Sequence, residues 1–241
     1  MIKYVQIKQQ FDVSRMQGDL HKLEAALWQP HYNKKHYEGD WTALPLRSIN
    51  GMVDNCISIH SGSLQPNMAY KDTSNLDICE YLPLVINFFE CEKMSVRLMK
   101  LNAGAVIKEH TDYDMSFEEG EARFHIPVFT NQRVDFFIET EKIPLKEGEC
   151  WYLNLSLKHS VNNFGDTNRV HLVIDCKVND WIKNLLTEQA AIKQEFTPIT
   201  NAPSYNFGEQ KKIIQQLRMM GTPVAIDLAN KMENGKNLYD E

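Results

Sequence analysis

No apolar run in this chain of 241 residues approaches the roughly 18 residues that a bilayer crossing needs. The opening stretch MIKYVQIKQQFDVSRM is too polar for the apolar segment of a secretory signal, so a cytoplasmic location is expected. Positive charge is scarce: 26 lysines and arginines stand against 32 aspartates and glutamates, a net charge of -6. A nucleic-acid or membrane-surface binder would present a lysine- and arginine-rich face, so neither partner is expected. The cysteines, Cys56, Cys79, Cys91, Cys150 and Cys176, are odd in number and form no C-x-x-C pair, which argues against a disulfide framework or a structural zinc site and for reduced, buried thiols. There is no P-loop, no G-x-G-x-x-G, no Ser-His-Asp arrangement, no internal repeat and no low-complexity segment.

What is present is enough apolar material for one sizeable core, 43% of residues against 24% charged, with an appendage. Residues 12–28 place Met16, Leu20, Leu23 and Leu27 at helical spacing with Asp12 or Ser14 as a cap, an amphipathic helix docked on something. From 29 to 75 prolines, glycines and aromatics alternate irregularly, with short strand candidates such as CISIH; loops of this kind frame pocket mouths. The stretch 76–91 is apolar enough for a buried helix, with Pro83 marking a first turn or a break. Five strand-like runs follow at 94–101, 121–130, 134–139, 148–155 and 168–176, the spacing of a meander or jelly roll. Residues 181–241 are helical in character, with EQKKIIQQLRMM and TPVAIDLANKM on either side of Gly221. The expected division is therefore a β domain over 1–180 that includes the N-terminal helical segment, and a helical extension over 181–241.

The chemistry concentrates in KEHTDYDMSF, residues 108–117. His110 and Asp112, two apart near a strand edge, point the same way and suit two adjacent corners of a metal; a polar turn between strands is the alternative. His159, just after the run 148–155, supplies a third ligand if a later strand folds back beside the first. Two histidines and one carboxylate form the facial triad of non-haem Fe(II) oxygenases, with open positions for a cosubstrate and dioxygen. Ten residues on, Arg169 opens the strand RVHLVIDC, sharing a face with His171 and Val173. A guanidinium facing a barrel interior needs a carboxylate, which a cosubstrate would bring.

The stretch from VRLMKLNAGAVIKEHTDYD through ARFHIPVFT to GECWYLNLSLKHSVNNFGDTNRVHLVIDC resembles the aspartyl/asparaginyl β-hydroxylase family of Fe(II)- and 2-oxoglutarate-dependent dioxygenases, whose bacterial relatives include free-proline hydroxylases. The resemblance spans about residues 40–180. It implies a mainly β fold with flanking helices, a double-stranded β-helix in which His110, Asp112 and His159 hold iron and Arg169 pairs with the distal carboxylate of 2-oxoglutarate. It also places His125 near the iron-bound end of 2-oxoglutarate and makes Arg123 a candidate grip for a substrate carboxylate. Animal members lack the aspartate of the triad, whereas Asp112 is present here. Eleven residues before His110, where animal members carry a serine that helps hold 2-oxoglutarate, stands Met99, which leaves Tyr152 or Asn154 as the helper.

Around these residues, Arg123 has an ion pair with an acid of 114–121 as its alternative role, His125 a core position, and His171 a supporting or core role. Asp114, Glu118, Glu119 and Glu121 read as a solvated acidic loop, or as a lid or a site for a cationic part of the substrate. Trp41 and Arg47 are candidates for the opposite wall; His21, His31, His36 and His60 read as surface or loop residues. The expected function is hydroxylation of an amino acid, free or in a short peptide, with dioxygen consumed and succinate and CO2 released. The alternative is a non-catalytic 2-oxoglutarate or metal sensor without a formed substrate pocket. Halogenation is disfavoured because Asp112 occupies the carboxylate position. A homodimer is left open.

Overall fold

The computed structural model describes residues 1–112 and 115–196, with isolated positions from 214 to 233. Thirteen strands are present among the described residues: β1 (Tyr4–Gln10), β2 (Gln29–Pro30), β3 (Tyr37–Glu38), β4 (Trp41–Ile49), β5 (Tyr70–Asp72), β6 (Lys93–Leu101), β7 (Val106–His110), β8 (Glu121–Phe129), β9 (Val134–Ile138), β10 (Glu141–Lys142), β11 (Glu149–Leu153), β12 (His159–Asn163) and β13 (Arg169–Lys177). They form an antiparallel sheet in the order β1-β11-β8-β13-β6-β4-β2, with β5 on β4, and a smaller one in the order β10-β9-β12-β7-β3. The four helices with described bounds are α1 (Val13–Lys22), α2 (Ser74–Asp77), α3 (Leu82–Asn87) and α4 (Asp180–Phe196). The architecture is mainly β with flanking helices, a double-stranded β-helix.

Side-chain alternation along the central strands divides the interior in two. On β6, β8 and β13 one face presents Val96, Leu98, Phe124, Ile126, Leu172 and Ile174 to an outer core shared with Met16, Leu20, Val85, Ile86 and Phe89 of the helical segments. The other face looks across to the small sheet, where Met99, Leu101 and Val173 pack with Ile107, Phe136, Ile138 and Val161. The same inward face carries Arg97, Arg123, His125, Arg169, His171 and Asp175, all buried. A strand buried on both faces reads as apolar on one side only when the other side is built for chemistry.

Each of the five strand-like runs contains an observed strand. The structure adds β4 within the segment read as irregular, β7, which ends at His110, and β12, which begins at His159. CISIH, residues 56–60, forms no strand. Helix α1 is capped by Asp12, whose side chain accepts from the Arg15 amide at 3.0 Å. It ends at Lys22 rather than near 28: Met16, Leu20 and Leu23 are buried while Leu27 is 63% exposed. The chain turns away there to enter β2, which pairs with β4. The apolar stretch 76–91 is not one helix; it holds α3, with Pro83 in its first turn, and only the end of α2. All five cysteines are free thiols, with Cys79, Cys150 and Cys176 buried and Cys56 and Cys91 partly so.

Two compact units are distinguished, Met1–Gln194 and Glu195–Glu241. The first half of α4 belongs with the first unit, since Ile182 and Leu186 are fully buried in the outer core and Trp181 meets Phe88 edge-on at 5.7 Å. The two segments read as helices beyond residue 208 lie largely outside the described residues. Among the described residues, no helix is long and apolar enough to cross a membrane.

One buried charge holds the helices together. Asp19 of α1 accepts from the amides of Glu80, Tyr81 and Leu82 at 2.8, 2.6 and 2.8 Å, the free N–H groups at the start of α3. Burial disfavours its ionisation, but these three donors and Lys22 outweigh burial and hold its pKa below the ordinary 3.8. A folded-state pKa that is depressed contributes stability above the unfolded value and loses it as pH falls through the folded one. Asp19→Ala, which strands the three amides, is expected to cost about 1–3 kcal/mol in urea unfolding at pH 7. The difference from wild type should shrink below pH 4.

Candidate functional site

Strand pairing assembles the central cluster. In the small sheet β12 runs antiparallel to β7 with His159 directly opposite His110, next to a register shift. The two rings lie 4.2 Å apart. His110 Nδ1 lies 2.7 Å from the Lys108 carbonyl and His159 Nδ1 3.0 Å from that of Leu157. A carbonyl only accepts, so each Nδ1 carries the proton and donates it, and each Nε2 presents its lone pair. That is the arrangement of metal-binding imidazoles oriented by a second hydrogen bond. Burial lowers the His159 pKa to about 4, which keeps the ring neutral at pH 7.

Asp112 closes the cluster: its amide donates to the Leu155 carbonyl at 2.8 Å, and Oδ1 sits 3.6 Å from His110 Nε2. The three ligating atoms of His110, Asp112 and His159 all lie within 4.8 Å of one another. Two neutral nitrogen donors and one carboxylate on one side, with the other side open, suit a divalent first-row metal such as Fe(II).

Behind the cluster runs a chain of buried charges. Arg123 donates from Nη1 to Asp112 Oδ2, and grips Asp175 through Nε at 2.6 Å and Nη2 at 3.1 Å. Asp175, its cross-strand neighbour on β13, also accepts from Arg97 Nη2 at 2.9 Å and the Ser58 hydroxyl at 2.7 Å. Asp175 is fully buried. Burial works against its charge, yet the charges of Arg123 and Arg97 prevail and bring its pKa down to about 2. Asp112 is likewise held below the usual carboxylate range, the Arg123 charge overcoming burial. Because Arg123 holds Oδ2, the carboxylate of Asp112 turns Oδ1 toward the histidines.

Arg169 contrasts with Arg123. It is 2% exposed, yet no carboxylate partner is present among the described residues. Its Nη2 donates to His171 Nδ1 at 2.7 Å, its guanidinium carbon stands 5.9 Å from the Phe136 ring centre, and its buried Nε has no partner. Burial pulls its pKa down to about 9 with no acid to oppose it. A buried guanidinium of this kind fits the distal carboxylate of a dicarboxylate cosubstrate. His125 lies beside it, its Nδ1 3.3 Å from His171 Nδ1 and its Nε2 buried without a partner. His171, read as supporting or core, is thus the neighbour that Arg169 bonds.

His110, Asp112, His159, Arg123, His125 and Arg169 all line one cavity of about 330 Å³. Of the two wall candidates, Trp41 lines it and Arg47 does not; Arg47 instead bonds Asp72, Tyr70 and Lys93 at the edge of the large sheet. Tyr152 and Asn154 are not cavity residues. Tyr152 faces the outer core, its hydroxyl accepting from the Phe117 amide at 3.0 Å, and Asn154 binds Ser156 and Ile2. Alternation on β11 sends Trp151 and Leu153, not Tyr152, to the inner face.

Three histidines read as surface or loop residues line the cavity: His31, His36 and His60. His31 stacks on Trp41 at 3.6 Å with its rings 15° from parallel. Burial, then the nearby Arg97 charge, lowers its pKa to about 3. His36 lies 4.7 Å from the His110 ring. Their only signal in the sequence was the aromatic, loop-rich character of 29–75. Of the acidic segment, Glu121 is not a loop residue; it opens β8 and is buried. Asp114 lies outside the described residues.

Fold and cluster together define a cupin-like double-stranded β-helix with a His–Asp–His candidate metal centre. The chain belongs to the aspartyl/asparaginyl beta-hydroxylase family, whose sequence profile it matches over residues 10–178. It is similar to the L-proline cis-4-hydroxylase of Rhizobium meliloti (strain 1021), with 29% identity over 180 residues, 74% of this chain and 62% of the relative. The chain thus spans less than two thirds of that relative's length. Solved structures with a similar fold include a Pseudomonas putida prolyl-4-hydroxylase (TM-score 0.45, 11% identity, 73% of this chain and 92% of that one). Another is the viral collagen prolyl hydroxylase of Paramecium Bursaria Chlorella virus-1 (TM-score 0.41, 9% identity, 73% and 97%).

The buried charge chain sets its own test. Asp175→Asn leaves two interior guanidiniums without their shared anion and is expected to cost about 3–5 kcal/mol, a fall of roughly 10 °C in melting temperature. Arg97 and Arg123 bring that carboxylate's pKa from 3.8 to about 2, so its contribution is present at neutral pH and lost below pH 4. The gap between variant and wild type should accordingly narrow in acid, as followed by calorimetry.

Proposed function

We propose that this protein is an Fe(II)- and 2-oxoglutarate-dependent dioxygenase that hydroxylates an amino acid and releases succinate and CO2. The observation that carries the reading is the pairing, in one cavity, of the His110–Asp112–His159 cluster with a buried Arg169 that has no acid partner among the described residues. Neither half alone calls for a dicarboxylate and a metal together. The similarity to an L-proline cis-4-hydroxylase and the family membership favour the same chemistry.

In this reading His110 and His159 offer Nε2, and Asp112 offers Oδ1, to iron. Iron in such a donor set, with 2-oxoglutarate and dioxygen, supplies the oxidising power that couples decarboxylation of the cosubstrate to insertion of a hydroxyl into a C–H bond. Arg169 neutralises the distal carboxylate of 2-oxoglutarate and fixes its direction, while His171 Nδ1 holds the guanidinium in place. His125 sits toward the other end of the cosubstrate, its unpaired Nε2 available to a polar atom there. Arg123 orients Asp112, and with Arg97 it provides the positive wall against which a substrate carboxylate is drawn. The apolar ring of Phe136 and the stacked pair of His31 and Trp41 limit water in the cavity. A formed cavity beside the cluster favours catalysis over a sensor, which needs no room for a second ligand.

Three substitutions separate the parts. His159→Ala or Asp112→Ala is expected to abolish stoichiometric Fe(II) uptake, read by metal analysis, and with it amino-acid-stimulated succinate formation; full turnover in either variant would remove that residue from the site. Arg169→Ala should retain metal uptake but raise the 2-oxoglutarate concentration for half-maximal rate roughly ten- to hundredfold, the loss of a charge-assisted pair. An unchanged requirement would place the cosubstrate elsewhere. Incubation with free amino acids and short peptides, followed by succinate assay and a search for an added oxygen in the product mass, identifies the substrate.

A further inference from the structure

Glu121 is the first residue of β8 and lines the cavity. It is 1% exposed. Its Oε1 accepts from the Ser61 amide at 2.7 Å and lies 3.3 Å from His60 Nε2. Its Oε2 is buried and has no hydrogen-bond partner. A carboxylate withdrawn from water with one oxygen unmatched is costly, and its place on the cavity wall points to a donor that arrives with a ligand.

The surroundings specify the donor. Glu121, Arg123 and His125 alternate along one face of β8, so the carboxylate and the first guanidinium project to the same side from Cα atoms about 7 Å apart. Arg97, on the far side of β13, lines the same cavity and has its Nε buried and unbonded. If Asp112 serves the metal, Arg97 and Arg123 have only the fully buried Asp175 as a shared counter-charge, which leaves one positive charge in excess. The wall therefore offers an anion-seeking end and a cation-seeking end within one cavity.

We infer that Glu121 Oε2 receives the protonated amine of the substrate, and that the substrate is a free α-amino acid and not a residue within a peptide chain. The inference rests on the proposed hydroxylase reading and deepens it. A primary or secondary ammonium brings both the charge and the N–H that Oε2 lacks; an acylated nitrogen brings no charge and sets a carbonyl group against the carboxylate. The carboxylate of the same molecule lies toward Arg97 and Arg123.

The test uses the full chain loaded with Fe(II) and 2-oxoglutarate. Succinate and hydroxylated product are measured for free amino acids, proline, aspartate and asparagine among them, and for the N-methyl and N-acetyl derivatives of whichever is turned over. Wild type is expected to accept the free amino acid, to tolerate N-methylation, which keeps the charge, and to prefer the free over the N-acetylated form by roughly ten- to hundredfold or more. Glu121→Gln keeps an oxygen for the Ser61 amide but loses the charge. It should raise the half-saturating amino acid concentration by a similar factor and shrink the preference over the N-acetylated form. Equal use of N-acetylated or peptidyl substrate by wild type overturns the inference even if the variant fails to fold. So does a variant that loses rate or stability while its preference for the free amine is unchanged, since that is the mark of a purely structural carboxylate. If no amino acid, free or blocked, drives succinate formation in wild type, the hydroxylase reading fails and the inference falls with it.

Discussion

The interior of the β-helix turns on a single carboxylate shared by two guanidiniums. Asp175 is fully buried between Arg97 and Arg123, and all three lie on neighbouring strands of the large sheet. Asp175 is the acid that meets Arg97 and one of two that meet Arg123, and Arg123 in turn holds one oxygen of Asp112. An uncompensated charge in such a place is strongly destabilising, and even a satisfied pair brings little net stability over an apolar core. Its worth here is positional: a slip of β8 or β13 by one residue would reverse every inward side chain and leave the charges facing the outer core.

The cavity treats its arginines in opposite ways. Arg123 is met by Asp175 and Asp112, which raise its pKa against the effect of burial. Arg169 has a neutral imidazole and the face of Phe136 for company, and burial lowers its pKa. The same residue type is thus held in ion pairs at one point and stands without an acid partner, among the described residues, at another. Glu121 extends this pattern with the opposite sign, a carboxylate one oxygen short of being satisfied. Unmatched buried polar atoms gather along this cavity, at Arg169, His125, Arg97, Glu121 and Trp41.

The small sheet contributes differently. Its strands β7 and β12 place His110 opposite His159 through backbone pairing alone, and two neighbouring carbonyls settle which nitrogen of each ring is free. The triad is therefore oriented by the main chain on the histidine side and by a guanidinium on the aspartate side. Segment 29–75 adds His31, His36 and His60 to the cavity wall, all three from outside its strands.

The pairing of His110 with Asp112, the later His159 and the strand opening at Arg169 were readable from spacing, because a period of two aims alternate residues to one side and metal chemistry demands those residue types. The alternation of RVHLVIDC likewise separated Arg169, His171 and Val173 from the residues of the outer core. What the linear order does not contain is which acid meets which base. Arg123 was read as a grip for a substrate carboxylate, with an ion pair to an acid of 114–121 as the alternative; its ion-pair partners are Asp112 and Asp175, the latter brought across by the pairing of β8 with β13. Tyr152 looked available to the cosubstrate until the register of β11 turned it outward, and the cavity histidines of 29–75 had no periodicity to mark them. Local pattern decides which face of a strand a residue occupies; only the closed sheets decide what stands opposite, because those distances depend on register and strand order and not on separation along the chain.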